Sequence, residues 1–306
     1  MKYFSLFSGI GGFEVGINNS DVNLKCIGCS EIDQFAYSIY KRHFNDIKNY
    51  GDVREIDYDN LPNFDLLVGG FPCQSFSIGG NRCGFDDERG SLFFEIARIL
   101  DVKRPTYFLL ENVRNIMSVN DGNVFRTMLN VFHNLGYYVQ WNVCNTSDYG
   151  IPQNRKRIFL KGFLKKTCVG DDALSTPSLD LTSFAKCDAN TGNDIIDNNF
   201  SKVSERRFIT TTRYGSCITI TQRHRGSPFP KKQDNYVLEF DGESKPLIRK
   251  LTPLECERLQ GFDDEWTKYG FDGELISDTQ RYKCIGNAVT TNVVTQMIES
   301  FNLGKV

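Results

Sequence analysis

The sequence predicts an α/β fold, in which a doubly wound, mostly parallel sheet is joined to a smaller, β-rich second domain. In the first 165 residues, short β-type runs alternate with helical patterns, as is typical of such a sheet. After Lys166 the sequence becomes rich in Ser, Thr, Asp and Asn, which indicates loops opening another domain. Alternating polarity at 218–221 and 236–240 predicts short strands in that domain.

The elements of the first domain follow in order along the chain. The predicted strand and helix pairs are 3–7 with 13–18, 24–30 with 34–44, 64–68 with 92–102, and 107–110 with 124–135. Two further strands, 137–144 and 157–163, follow one another without a helix, so we expect an antiparallel end to the sheet.

A further helix is predicted at 252–262, near the end of the second domain. Thr252 is a good N-cap, Pro253 suits the first helical position, Glu255 completes a capping box and Gly261 follows the last turn. The last stretch, 287–301, predicts a helix that returns to the first domain. We therefore expect one domain from 1–165 and 276–306, with 166–275 as the second.

Composition excludes some classes of protein. The 306 residues are 40% hydrophobic and 24% charged, and a net charge of −2 argues against a generally basic coat for nucleic acid. No secretory h-region or membrane-spanning run occurs, so we expect a cytoplasmic protein without a membrane partner. The 10 cysteines lack paired zinc spacings beyond Cys26 and Cys29, which predicts reduced thiols and no metal.

One thiol stands on a stiff turn directly after a predicted strand. Cys73 follows Pro72, which restricts Phe71, and Gly70 lets backbone pass close to a ligand. The end of a strand in an α/β fold is a suitable place to display a nucleophile. The other motifs, in chain order, are Phe7-Ser8-Gly9-Ile10-Gly11-Gly12, Glu31, Gly51-Asp52, Arg89-Gly90-Ser91-Leu92-Phe93, Glu111-Asn112-Val113, Gln153-Asn154-Arg155-Lys156-Arg157, Arg258-Leu259-Gln260-Gly261-Phe262 and Ile285-Gly286-Asn287-Ala288-Val289.

Together these motifs resemble the C5-cytosine-specific DNA methyltransferase family, of the bacterial restriction-modification type. The resemblance covers roughly residues 1–165 and 249–295, and 166–248 matches no motif of the family. It implies a sheet of the S-adenosylmethionine-dependent methyltransferase type, with 1–165 and 276–306 as the catalytic and cofactor-binding domain. Residues 166–275 would then be the target-recognition domain.

The glycines at 9, 11 and 12 place backbone N–H groups where the first strand turns into the first helix. Glu14 breaks the dinucleotide-binding fingerprint, and Glu31 ends the second strand where an acid can accept from ribose hydroxyls. The resemblance implies S-adenosyl-L-methionine as cofactor and S-adenosyl-L-homocysteine as product. The residues it implies around them are Phe7, Gly9, Ile10, Gly11, Gly12, Glu31, Ile32, Asp52, Val53, Gly70, Pro72, Leu92, Asn287, Ala288 and Val289. The chain departs from the family at Ser5, where Asp is frequent, and at Thr290, where Pro is frequent.

The resemblance also implies a chemistry. Cys73 adds to carbon 6 of cytosine, Glu111 supplies a proton at ring nitrogen 3, and Arg157 contacts the base with Arg155 beside it. Asn112 positions a loop, and Gln74 helps fill the space that the flipped base leaves. Taken singly, Glu31 and Glu111 would also suit capping or surface roles, and the arginines a solvated face.

Double-stranded DNA is the implied partner, contacted by a lid at 77–90 that includes Ser77, Arg82 and Arg89. Sequence reading is expected from Arg213, Gln222, Arg223 and Arg225 in the second domain. We expect a monomer and a cognate restriction endonuclease. Three alternatives remain: a transfer RNA cytosine methyltransferase, disfavoured because no Cys-Phe-Thr motif occurs, an inactive DNA-binding relative, and a nicotinamide oxidoreductase.

Overall fold

The secondary structure follows the predicted alternation of strands and helices. A computed structural model of the chain describes residues 1–72, 92–165, 236–239 and 247–303. The strands are β1 (Lys2–Leu6), β2 (Lys25–Ser30), β3 (Leu66–Gly70), β4 (Tyr107–Val113), β5 (Tyr137–Asn145), β6 (Lys156–Leu164), β7 (Tyr236–Glu239) and β8 (Leu247–Lys250). The helices are α1 (Gly12–Asn18), α2 (Gln34–His43), α3 (Leu92–Lys103), α4 (Asn123–Asn134), α5 (Pro253–Arg258), α6 (Asp278–Asn287) and α7 (Thr291–Glu299).

Six strands form one sheet in the order β2-β1-β3-β4-β6-β5. The pairs β1–β2, β1–β3 and β3–β4 are parallel, whereas β6 runs antiparallel to both β4 and β5. The predicted antiparallel end is therefore confirmed, with β6 inserted between β4 and β5. Strands β7 and β8 form a separate antiparallel pair. The strand predicted at 218–221 lies outside the described residues.

The chain reverses direction across the sheet at β1, because β2 lies on one side of β1 and β3 on the other. Such a reversal leaves a crevice at the carboxyl ends of the parallel strands, where α/β proteins bind ligands. The glycine turn follows β1, Glu31 follows β2 and Phe71 follows β3, while Glu111 lies near the end of β4. The topology therefore gathers residues that are far apart in sequence at one edge of the sheet.

Helices cover both faces of the sheet. On one face, Phe93 of α3 and Phe132 of α4 are fully buried with Phe108 of β4. On the other face, α7 packs on α1 so closely that a Cβ on Gly16 would lie 2.5 Å from the Cβ of Val294. Only glycine allows this approach. The C-terminal helix is thereby fixed against the first helix of the chain.

The segment that contains α5 packs on the same body. Thr252 accepts from the Glu255 backbone while the Glu255 side chain accepts from the Thr252 backbone, so the predicted capping box is confirmed. Beyond α5, Trp266 donates from Nε1 to the Ile10 carbonyl oxygen at 2.9 Å. This packing favours a domain boundary nearer residue 250 than 275, and the division into two domains stays a prediction.

Candidate active site

A cavity of about 540 Å³ opens at the carboxyl edge of the sheet. The described residues that line it include most of the predicted cofactor residues and the predicted catalytic residues of β4 and β6. They are Phe7, Gly9, Ser30, Glu31, Ile32, Asp33, Ala36, Asp52, Val53, Arg54, Gly70, Phe71, Pro72, Leu92, Glu111, Asn112, Val113, Arg155, Arg157, Lys283, Cys284, Gly286 and Asn287. The predicted cofactor residues and the predicted catalytic residues of β4 and β6 therefore line the same cavity.

The glycine turn reaches the cavity only in part. Phe7 and Gly9 line it, both with positive φ. Ile10 is buried in the cluster around Trp266 instead. A Cβ on Gly11 would lie 2.4 Å from the Phe44 ring, and one on Gly12 would lie 2.8 Å from Val289. These two glycines thus permit close packing behind the wall of the cavity.

The predicted cofactor residues at 287–289 also reach the cavity only in part. Asn287 lines the cavity, whereas Ala288 packs in the cluster of Ile10 and Val289 in the cluster between α1 and α7. Ala288 and Val289 therefore pack behind the wall of the cavity, and their assignment as cofactor residues stays a prediction.

Glu31 is held in one orientation by backbone groups. Its Oε1 accepts from the Ile32 and Asp33 N–H groups at 2.9 and 2.7 Å, and its Oε2 accepts from Gly9 at 2.8 Å. A carboxylate offers about four lone-pair positions, so one on Oε2 stays available to a ligand. Burial raises the pKa of Glu31, and the three N–H donors oppose that rise.

Asn49 supports this arrangement and was not predicted. Its Nδ2 donates to the Glu31 carbonyl oxygen at 2.9 Å, and its Oδ1 accepts from the backbone of Glu31 and of Gly51. It therefore ties the end of β2 to the turn that carries Asp52. An Asn directly before Tyr50 and Gly51 is a turn signal, which is the clue that the sequence offered.

Further charged groups line the same cavity. Asp52 caps a short 3₁₀ helix and forms an ion pair with Arg54, whose hydrogen bond lowers the pKa of the Asp52 carboxyl. Asp33 caps α2 and forms an ion pair with Lys283 of α6. Arg54, Asp33 and Lys283 all line the cavity and were not predicted.

On the β4 side, Glu111 faces two arginines. Arg157 Nε lies 3.0 Å from Glu111 Oε1. A Cβ on Gly70 would lie 3.3 Å from Glu111 Oε2, so glycine at this position leaves room for the carboxyl group. Burial raises the pKa of Glu111, while the charges of Arg157 and Arg155 act against the rise. A buried acid between guanidinium groups can hold a proton close to a bound base.

Arg155 is fixed by the end of α6. Its Nη2 donates to the carbonyl oxygens of Gly286 and Ala288 at 3.1 and 2.9 Å. Burial, with the neighbouring charge of Arg157, lowers the pKa of Arg155 to about 9. Arg155 lies just before β6 rather than on it, and both arginines line the cavity.

Asn112 holds the loop that leads to the predicted nucleophile. Its Nδ2 donates to the Phe71 carbonyl oxygen at 3.0 Å, and its Oδ1 accepts from Val113 N at 2.7 Å. Phe71 and Pro72 are the last described residues before Cys73. The predicted residues outside the described part of the chain are Cys73, Gln74, Ser77, Arg82, Arg89, Arg213, Gln222, Arg223 and Arg225.

The described residues contain no group of three or more His, Cys, Asp or Glu side chains arranged to hold a metal ion. No helix among them is long and apolar enough to cross a bilayer.

A protein-family model and curated methyltransferases are similar to this chain in sequence. A family model described as C-5 cytosine-specific DNA methylase matches residues 1–183 and 178–302. Type II methyltransferase M1.ScrFI of Lactococcus lactis subsp. cremoris is 37% identical, over 97% of this chain and 77% of its own length. Type II methyltransferase M.HhaI of Haemophilus parahaemolyticus is 31% identical, over 99% of this chain and 94% of its own.

A solved structure also resembles the chain. The S. pombe Dnmt2 methyltransferase gives a TM-score of 0.70 at 19% identity, over 99% of this chain and 100% of that one. At this identity the likeness concerns the fold alone. It agrees with the predicted α/β methyltransferase sheet, while the separate recognition domain stays a prediction.

Proposed function

Because the chain belongs to the C-5 cytosine-specific DNA methylase family, we propose that it transfers a methyl group from S-adenosyl-L-methionine to carbon 5 of cytosine in double-stranded DNA. One observation carries the proposal. A single cavity is lined both by Glu31, which keeps a lone pair available to a ligand, and by Glu111 with its two arginines. The transfer needs a methyl donor and a polarised base side by side, and we assign the first to the Glu31 side of the cavity and the second to the Glu111 side.

The cavity suits the proposed cofactor. Its volume of about 540 Å³ is in the range that encloses small ligands. Glu31 keeps one lone pair for a ribose hydroxyl, and the 67% exposed Ile32 offers an apolar surface to adenine. When bound, S-adenosyl-L-methionine supplies an electrophilic methyl group on a sulfonium sulfur. We assign Asp52, beside Arg54, to the adenine amine.

We assign the chemistry to four residues. The Cys73 thiolate forms a bond to carbon 6 of a flipped cytosine, and Glu111 gives a proton to ring nitrogen 3. The carbon 5–carbon 6 double bond is thereby lost, and the electron pair of the resulting enamine would form the new bond from carbon 5 to the methyl group. The methyl–sulfur bond of the bound donor would break, and its electron pair would leave on the sulfur of S-adenosyl-L-homocysteine. Loss of the carbon 5 proton to a base and departure of the Cys73 sulfur restore the ring. Arg157 and Arg155 hold the base and the Glu111 carboxyl group in a fixed position relative to one another.

The biological setting follows from the same family. The curated relatives are named type II methyltransferases, so we propose a protective role in a restriction-modification system with a cognate endonuclease. Because the proposed substrate is DNA and the curated relatives are bacterial, we propose a prokaryotic cytoplasm or nucleoid as its location. We propose that the protein acts as a monomer.

The test is to supply the purified protein with labelled S-adenosyl-L-methionine and to offer it either mixed-sequence duplex DNA or transfer RNA. Label should enter the DNA, and base-resolution mapping should find 5-methylcytosine within one short sequence. Label that enters only transfer RNA would establish the rival substrate. Absence of label from both would refute the proposed reaction.

Glu31→Ala should weaken binding of S-adenosyl-L-methionine by about 1–3 kcal/mol, because charge-assisted hydrogen bonds to the ribose are lost. Titration calorimetry gives the dissociation constant. Asp101→Ala, which removes an exposed carboxylate at the far end of α3, is the control. An unchanged dissociation constant in Glu31→Ala would remove Glu31 from the cofactor site.

Arg223→Ala or Arg225→Ala should relax the choice of DNA site by about 1–3 kcal/mol for each lost base contact. Cofactor binding should stay normal. The measurement is DNA affinity for the mapped site and for mismatched sites at several salt concentrations. An equal loss on all sequences with a smaller salt slope would assign the arginine to a phosphate. If nothing changes, sequence reading must lie elsewhere in the second domain.

A further inference from the structure

A ring of buried hydrogen bonds lies behind the cavity wall, centred on the hydroxyl of Thr290. Thr290 is 3% exposed and lies between Gln260 and Thr146, which are 0% and 2% exposed. Thr290 Oγ1 donates to Gln260 Oε1 at 2.8 Å, and the hydroxyls of Thr146 and Thr290 are 3.0 Å apart. Thr290 gives its only proton to Gln260, and the Thr146 hydroxyl lies within hydrogen-bond distance of both the Thr290 hydroxyl and the Arg155 carbonyl oxygen, the latter at 3.3 Å.

Both ends of this chain of hydroxyls lead to the cavity. At one end, Gln260 Nε2 donates to the Ile285 carbonyl oxygen at 3.1 Å, directly before Gly286 and Asn287 of the cofactor wall. At the other end, Thr146 donates its backbone N–H to the Arg155 carbonyl oxygen at 3.1 Å. The Arg155 side chain closes the ring through the carbonyl oxygens of Gly286 and Ala288.

We propose that the Thr290 hydroxyl is a positioning group, which holds the cofactor wall at Gly286–Asn287 and the base-side Arg155 in a fixed relation to one another. The inference rests on the proposed function and adds a residue to its site. Proline at this position offers no hydroxyl and no side-chain donor, so the ring depends on the threonine that this chain carries.

A positioning role and a purely structural role of the Thr290 hydroxyl predict different effects when the hydroxyl is lost. A buried hydroxyl that only stabilises the fold would lower the melting temperature when lost. The Thr290 hydroxyl should instead affect two functional quantities together, because its loss leaves Gln260 Oε1 without its Thr290 donor on the cofactor side and removes the link to the Thr146 hydroxyl, which contacts the Arg155 carbonyl oxygen, on the base side. A buried polar group that loses its partner makes the surrounding segments shift until it finds a new one.

The experiment compares Thr290→Val, which keeps the shape, with Thr290→Ser, which keeps the hydroxyl. Two quantities are measured: the dissociation constant for S-adenosyl-L-homocysteine and the single-turnover rate of methyl transfer to DNA at saturating cofactor. Thr290→Val should weaken binding about tenfold and slow transfer about tenfold, the order expected for one lost buried hydrogen bond in each. Thr290→Ser should restore both.

The matched control is Thr295→Val on the same helix. The Thr295 hydroxyl donates to the Gly16 and Thr291 carbonyl oxygens at 2.9 and 3.2 Å, with no bond to the ring. It should lower the melting temperature without changing either functional quantity. If Thr290→Val does not fold, Thr146→Val cuts the same ring at its other hydroxyl and takes its place.

Two results would overturn the proposal. One is a folded Thr290→Val with wild-type binding and rate, and the other is equal losses in Thr295→Val. A wild-type protein that binds S-adenosyl-L-homocysteine but methylates no DNA would refute the proposed function alone, since the binding comparison still decides the role of Thr290. A wild-type protein that binds no cofactor would overturn both.

Discussion

Cys73→Ser should reduce methyl transfer to DNA by more than about 10³-fold, the order of loss seen when a covalent nucleophile is removed. Serine suits the turn predicted after Pro72, but its hydroxyl is far less acidic than a thiol and forms little of the attacking anion at neutral pH. Cofactor binding should persist, because Glu31 and its backbone donors are untouched. Single-turnover transfer of labelled methyl measures the loss, and calorimetry measures the binding.

The control for this substitution is Cys26→Ser, the same exchange of sulfur for oxygen in β2, outside the cavity lining. It should retain activity. Normal turnover by Cys73→Ser would show that the thiol of Cys73 does not attack the base, and the proposed mechanism would fail.

Glu111→Gln should slow the chemical step by about 10²- to 10⁴-fold, the usual contribution of a positioned general acid. The amide keeps the shape of the side chain next to Gly70 and Arg157 but cannot supply a proton to ring nitrogen 3. The single-turnover rate at saturating DNA and cofactor isolates this step. DNA affinity should change little, because the loss concerns the transition state.

The pH dependence of the methyl-transfer rate gives a second test of Glu111 as the proton donor. Burial raises the pKa of Glu111, so the protonated form that can donate is present below this raised pKa and is lost as pH rises through it. Cys73 must be ionised, so the rate should increase with pH on the acid side. The wild-type profile should be bell-shaped, and Glu111→Gln should lose its alkaline limb.

Glu95→Gln is the matched control for Glu111→Gln. Glu95 is also a buried glutamate paired with an arginine, since its Oε2 lies 3.2 Å from Arg98 Nη1 on the same helix. It lies outside the cavity lining and should keep the wild-type rate and pH profile. If Glu111→Gln behaves like Glu95→Gln, then Glu111 is structural.

Local signals in the sequence predicted much of the fold. The capping box at Thr252 and Glu255 depends on residues three positions apart, so the sequence alone reveals it. The antiparallel end of the sheet was predicted because the sequence shows no helical pattern between 137–144 and 157–163, where the structure has a short 3₁₀ helix at Thr146–Tyr149 and no α-helix. The insertion of β6 between β4 and β5 depends on pairing across distant strands, which periodicity does not encode.

The place of Glu31 and Glu111 at strand ends, together with the resemblance, predicted that both line the cavity, and their roles stay predictions. The sequence did not reveal cavity residues whose place depends on a distant partner. Lys283 forms an ion pair with Asp33, 250 positions away in the sequence, and Asn49 is recognised only by its hydrogen bonds to Glu31. Gly11 and Gly12 allow close packing against Phe44 and Val289, and their approach to the cofactor stays a prediction.

The central claim is that Cys73 forms a bond to cytosine during methyl transfer, and duplex DNA containing 5-fluorocytosine tests it most directly. Fluorine at carbon 5 cannot leave as a proton does, so the sulfur cannot depart after methylation and the adduct persists. With mixed-sequence DNA and S-adenosyl-L-methionine, mass spectrometry should find a peptide linked to DNA through Cys73. An adduct at another cysteine, or no adduct on DNA that the protein methylates in its ordinary form, would contradict the account.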